Sequence, residues 1–220
     1  MNPGVPTRAA ADRFPRVRGP RPLLSAKAES ALSPRQLALL EELEAHLTAG
    51  GVASLTMAQI AARVNCSLRT LYGIAPSKDA LLLIVVDRRL RRIGRTAVEA
   101  LEDSMTPLDA LRAYLHAANE AVQPEAVTLS ADFARVAGAE RLLSAHESYL
   151  IAVTRSLLDL AVAENQIEPV DTHAVAHVLG RFGREFAQPS VAEAIRRSPK
   201  ETADAMTDVV LAGLAAASPG

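Results

Sequence analysis

At 220 residues and 49% hydrophobic content the chain is long enough to bury a core unaided, and its single cysteine, Cys66, excludes an internal disulfide. The longest apolar run, Ala80 to Val86, ends at Asp87, far short of the ~18 residues of a membrane span, and the arginine-bearing N-terminus lacks the apolar segment of a secretory signal. A cytoplasmic protein with no membrane partner is therefore expected. The net charge of −1 hides a division: residues 1–100 carry 15 basic and 8 acidic side chains (+7), residues 101–220 carry 9 and 17 (−8). A basic first part points to a polyanionic partner, because neutralising phosphates releases counterions.

In chain order, residues 1–32 hold five prolines and six basic residues with few large apolar ones, the composition of a mobile arm. Its Arg13, Arg16, Arg18 and Arg21 suit either a minor-groove tracker or a solvated tail. Ser33 and Pro34 then open a helix whose Leu37, Leu40, Leu43 and Leu47 share a face, ending at Gly50-Gly51. Thr56 caps a short helix through Arg63, Ser67 caps another through about Ile74, and Ser77 caps a long one running to Gly94 or beyond. Amphipathic segments follow near 107–122, 125–137, 140–165, 171–187 and 200–217. Low glycine with abundant Ala and Leu agrees with an all-α protein, and no fixed-period repeat suggests a solenoid. The domain division expected is an arm over 1–32, a three-helix DNA-binding unit over 33–76 and a helical bundle over 77–220.

Two short helices separated by three residues, Thr56 to Tyr72, have the anatomy of a helix-turn-helix. Ala61 is small where the helices cross, Asn65 tolerates a left-handed turn backbone, and Leu71 returns an apolar anchor to the core, leaving Leu68, Arg69, Thr70 and Tyr72 to face outward. An arginine near the start of a recognition helix can bond guanine bidentately or hold a phosphate.

Here the chain resembles the TetR family of bacterial regulators. The likeness rests on Leu55-Thr56-Met57, Ile60-Ala61, Cys66-Ser67, Thr70-Leu71-Tyr72 and Ser77-Lys78-Asp79-Ala80-Leu81, and it spans residues of about 34–90. Three positions depart from the pattern: Asn65 and Arg69 stand where glycine is usual, and Gly73-Ile74-Ala75 replaces a His-x-Phe-like end. The resemblance implies a DNA-contacting set of Thr56, Ser67, Leu68, Arg69, Thr70, Tyr72 and Lys78, with Thr56, Tyr72 and Lys78 on phosphates. It further implies a homodimer joined through the last two helices, double-stranded operator DNA as partner, and a small-molecule effector bound by the bundle.

For that effector the polar residues of the bundle are the candidates: Tyr114, His116, Asn119, His146, Tyr149, His177 and Arg181, any of which would equally serve as satisfied core or solvent face. His173 and His177 have the spacing of His-Glu-x-x-His, but Ala174 stands where the general base belongs. The pair has no obvious third ligand, so no metal site is expected. Gly180-Arg181-Phe182-Gly183 lacks the strand of a dinucleotide loop. No nucleophile, base and orienter form a set, so neither a catalytic residue nor a cofactor is expected. A repressor released by its effector is the reading favoured. A constitutive DNA binder or activator without effector, and a helical enzyme or ligand-binding bundle, remain as alternatives.

Overall fold

The computed structural model describes residues 17–49, 54–122, 133 and 135–216, which form α-helices and one 3-10 turn and no strand. The all-α expectation holds. Four helices precede the body: α1 (Ala26–Ser30), α2 (Pro34–Ala49), α3 (Met57–Arg63) and α4 (Leu68–Tyr72). The long α5 (Lys78–Glu99) leads into α6 (Pro107–Ala118), the 3-10 turn (Asn119–Val122), α7 (Ala139–Ala163), α8 (Thr172–Leu179), α9 (Phe182–Phe186), α10 (Pro189–Ala192) and α11 (Pro199–Ala216). Of the helix expected at 125–137 only residues 133 and 135–137 are described, and 135–137 form a turn, whereas the expected end of α2 at Gly50-Gly51 lies outside the described residues.

Local chemistry sets most of these boundaries. At α2 the Ser33 amide donates to Gln36 Oε1 (2.9 Å) while the Gln36 amide donates to Ser33 Oγ (3.3 Å), a reciprocal cap. Thr106 caps α6 by accepting from the Asp109 amide, and Pro107 fills the first helical position, where a missing N–H costs nothing. Gly138, at φ +91°, turns the chain into α7 in a conformation that side chains rarely adopt.

Two apolar cores result. The first joins Leu39, Leu40, Leu43 and Leu47 of α2, Met57, Ile60 and Ala61 of α3, Leu71 of α4 and Leu81, Leu82, Ile84, Val85 and Val86 of α5 to Phe133, Val136, Ala139 and Leu142. The second gathers Ala97, Ala110, Leu111, Tyr114, Leu115, Leu157, Leu158, Ala161, Leu179 and Leu211 from the far ends of α5 and α7 and from α6, α8 and α11. The first core thus continues past residue 77 into α5 and α7.

Two expectations change. Residues 17–32 fall within the expected mobile arm but lie against the molecule: the Leu23 amide donates to Asp87 Oδ2 (3.0 Å), Arg91 donates to the Pro20 carbonyl, and Arg88 pairs with Glu29. Few contacts are needed to hold this stretch, because Pro20 and Pro22 restrict the free chain and reduce the entropy lost on docking. The rest of the arm, with Arg8, Arg13 and Arg16, lies outside the described residues. The single helix expected over 171–187 is broken into α8 and α9 at Gly180. That residue packs so closely on α7 that a Cβ would meet Ile151 Cγ1 at 2.6 Å, and the Arg181 amide bonds back to Val178 in a 3-10 step.

Candidate nucleic-acid interface and effector region

The two short helices are built by their caps and one anchor. Thr56 Oγ1 accepts the Gln59 amide (3.3 Å) and Gln59 Oε1 accepts the Thr56 amide (2.8 Å), a complete capping box at α3. Ser67 Oγ accepts the Thr70 amide (3.1 Å) and meets Thr70 Oγ1 at 2.8 Å. Between the helices Asn65 adopts φ 44°, the left-handed turn that its short polar side chain tolerates, and the Cys66 amide closes onto Ala61 O (2.9 Å). Arg35, which sequence reasoning missed, clamps this turn from α2: its Nη2 donates to the carbonyls of Val64 (3.2 Å) and Asn65 (3.3 Å). Nothing in the local pattern points to it, since the contact spans about thirty residues of chain. Burial pushes the Cys66 thiol up, so its reactive thiolate is suppressed even beside Arg35.

The outward face follows from the anchor. Leu71 is fully buried, whereas Leu68 (41%) and Tyr72 (54%) are exposed on the same five-residue helix, as is Arg69. Two large apolar groups held in water on a helix otherwise anchored in a core are what a partner surface would cover. Thr56 and Ser67 are exposed at their caps, Thr70 is half-buried by its bond to Ser67, and Lys78 opens α5 behind the Ser77 cap. All seven residues of the expected DNA-contacting set therefore lie at the starts of α3 and α5 or along α4.

Loss of one cap tests this construction: Thr56→Ala is expected to lower the unfolding free energy by about 1 kcal/mol. Urea denaturation followed by circular dichroism reads it, and an unchanged midpoint would mean that the capping box contributes nothing to α3.

The seven residues expected to form an effector site divide among several places, with Tyr114 beside Tyr149 and His177 beside Arg181. Tyr114 is enclosed in the second core, where burial pushes its phenol far above the ordinary range; Tyr149 is half-buried beside it and shifted upward for the same reason. His146 reaches Asp87 Oδ1 with its Nε2 (2.9 Å), toward the first core. On α6, His116 Nε2 stands 3.2 Å from Asp208 Oδ1 of α11 without hydrogen-bond alignment, and Asn119 Nδ2 donates to Asp204 Oδ1 (2.8 Å). His177 and Arg181 sit apart, in a half-open cleft of about 410 Å³ with Glu140, Glu147 and Arg184. Its charges are already spent on one another, as Arg181 Nε and Arg184 Nη1 each hold Glu147 at 2.8 Å. Sequence reasoning also missed Thr154 and Thr207, whose buried hydroxyls, like His116 Nε2, have no hydrogen-bond partner. A threonine inside an apolar stripe gives no such signal beforehand.

His173 and His177 face solvent on α8 with ring centroids 6.2 Å apart, and the described residues contain no group of three or more potential metal ligands. No helix among them is long and apolar enough to cross a membrane.

No protein-family model matches the sequence, and no curated protein matches it. Solved structures do match in fold. A candidate transcriptional regulator from Pseudomonas aeruginosa superposes with TM-score 0.67 at 19% identity, covering 85% of this chain and 94% of that one. The TetR family transcriptional regulator PfmR from Thermus thermophilus gives 0.59 at 20% identity over 80% and 98%. AibR, solved in complex with isovaleryl coenzyme A and operator DNA, gives 0.57 at 18% identity over 80% and 97%. The chain therefore has the fold of TetR-family transcriptional regulators, a helix-turn-helix unit on an all-helical body.

Proposed function

We propose that the protein is a homodimeric, DNA-binding transcriptional regulator, acting in the cytoplasm as a repressor that a small-molecule effector releases from a palindromic operator. The observation that carries this reading is the construction of α4: a capped helix of five residues, anchored by fully buried Leu71, that holds Leu68, Arg69 and Tyr72 in solvent. The fold shared with solved regulators supports it, as does the net charge of +7 over residues 1–100.

Support for the dimer comes from α8 and α11, which leave Val178 (53%), Met206 (37%) and Val209 (63%) exposed beside a well-filled core. A helix-turn-helix dimer reads two half-sites about one helical turn apart, so the symmetry of the protein would be matched by an inverted repeat. Support for the effector comes from the body. Thr154 and Thr207, on α7 and α11, bury hydroxyls without hydrogen-bond partners, and such atoms are costly unless a ligand or water satisfies them. An effector acts only by binding the DNA-incompetent arrangement more tightly, since equal affinity for both shifts nothing.

Selection of genomic fragments by the purified protein, followed by footprinting of the best site near physiological salt, tests the reading. A protected inverted repeat is expected. Retention of DNA without sequence preference, or none, would overturn it.

A further inference from the structure

The two cores do not merge along the long helices. Apart from Leu90, no residue of α5 between Asp87 and Thr96, and none of α7 between Ser144 and Ser148, belongs to either core. This seam is polar, and at its centre stands Asp87, 2% exposed, a charge that is costly to bury unless it is fully paired. Its pairing draws on three separate parts of the chain: Arg91 Nε on its own helix (2.9 Å), His146 Nε2 on α7 (2.9 Å) and the Leu23 amide (3.0 Å).

The last of these belongs to a stretch that runs antiparallel to α5 across the seam. Leu24 packs on the first core, Leu23 meets Asp87, the Pro20 carbonyl accepts from Arg91 one turn further along, and Val17 packs on the second core. Gly19 and Gly94 border the Tyr149 ring, since a Cβ at either would stand 3.9 Å from it, at Cε2 and Cε1 respectively. Residues 17–24 are thus in contact with both cores, with α5 and with α7, over a stretch that contributes little to either core.

We propose that residues 17–24 are a strap that ties the DNA-binding core to the body across this seam, latched by Asp87, and that unlatching it lets the two cores move against each other. The chain from this strap continues through α1 directly into α2, the first helix of the DNA-binding unit, and Arg88 grips it again at Glu29. A displacement of α7 relative to α5 pulls His146 from Asp87 and leaves the buried carboxylate one donor short, so the latch holds best with the two helices in this arrangement. The strap stands on these contacts; its bearing on DNA affinity rests on the regulator reading above.

Amide hydrogen exchange of the full chain, read by NMR in wild type and in Asp87→Asn, tests the strap. The substitution keeps the side chain's size but removes the charge that three donors share. Protection of the Leu23 amide, which Asp87 accepts, is expected in wild type and should fall by about tenfold or more in Asp87→Asn, with Ile60 in α3 unchanged. An unprotected Leu23 amide in wild type, or equal protection in both proteins, would overturn the proposal. Where Asp87→Asn loosens both cores together, Arg91→Gln decides, since it spares the carboxylate. Loss confined to the Leu23 amide supports the latch, and loss throughout both cores makes the seam an ordinary part of one core and overturns it. A wild type that fails to bind DNA would sink the regulator reading while leaving the exchange result to judge the strap.

Discussion

Arg69→Ala is expected to weaken binding to the selected operator by about 10- to 100-fold, or roughly 1–3 kcal/mol, while leaving affinity for random DNA nearly unchanged. Arg69 is exposed as the second residue of α4, with Ser67 holding the helix start and Leu71 holding its far side, so the guanidinium projects from a positioned base. A planar fork can take both acceptors of a guanine edge, a contact that random sequence offers only by chance. Lys78→Ala provides the contrast: an ammonium on a phosphate carries no sequence information, so both DNAs should bind less tightly and the salt slope should fall by about one. Fluorescence anisotropy on both DNAs at several salt concentrations separates the two behaviours. Equal losses for Arg69→Ala would make it a phosphate contact.

The second large effect is on stability. Leu71→Ala should lower the unfolding free energy by about 2–5 kcal/mol, because a leucine with no solvent exposure leaves a cavity that its neighbours fill only in part. A five-residue helix lies far below the ~12–15 residues needed for independent helicity, so α4 depends on this anchor for its existence as well as its orientation. Leu68→Ala, on the same helix with 41% exposure, should change stability by no more than about 0.5 kcal/mol. Urea midpoints with an unchanged slope would report the difference. Similar effects at the two positions would mean that α4 is not held by Leu71.

These expectations draw on residues of two kinds. The helix-turn-helix was legible because its determinants are local: Thr56 and Gln59 stand three apart, Ser67 and Thr70 likewise, and each pair closes a hydrogen bond within one helical turn. Asn65 was legible too, since few residues accept its φ of 44°. The polar residues of the body were not, because period and polarity say which residues stand on a helix but not which helices meet. Thus Tyr114 and Tyr149 entered the second core, His146 turned to Asp87, and His177 with Arg181 ended in a charged surface cleft. Proline content misled for residues 17–32, since the same rings that discourage helices also make an extended strap inexpensive to order.

By itself, the amino-acid order determined that this protein is helical, where most of its helices start, and that a capped pair over 57–72 presents Leu68, Arg69 and Tyr72. Caps, turns and apolar periods act over three or four residues, within reach of the local chain. Only the tertiary structure decided that α5 and α7 span two cores with a polar seam between them. It alone placed Arg35 on the carbonyls of Val64 and Asn65, and made Asp87 the meeting point of Leu23, Arg91 and His146. Apart from the Arg91 pair, such contacts join residues about 30 to 65 apart, and their partners become neighbours only when the buried faces of separate helices are brought together.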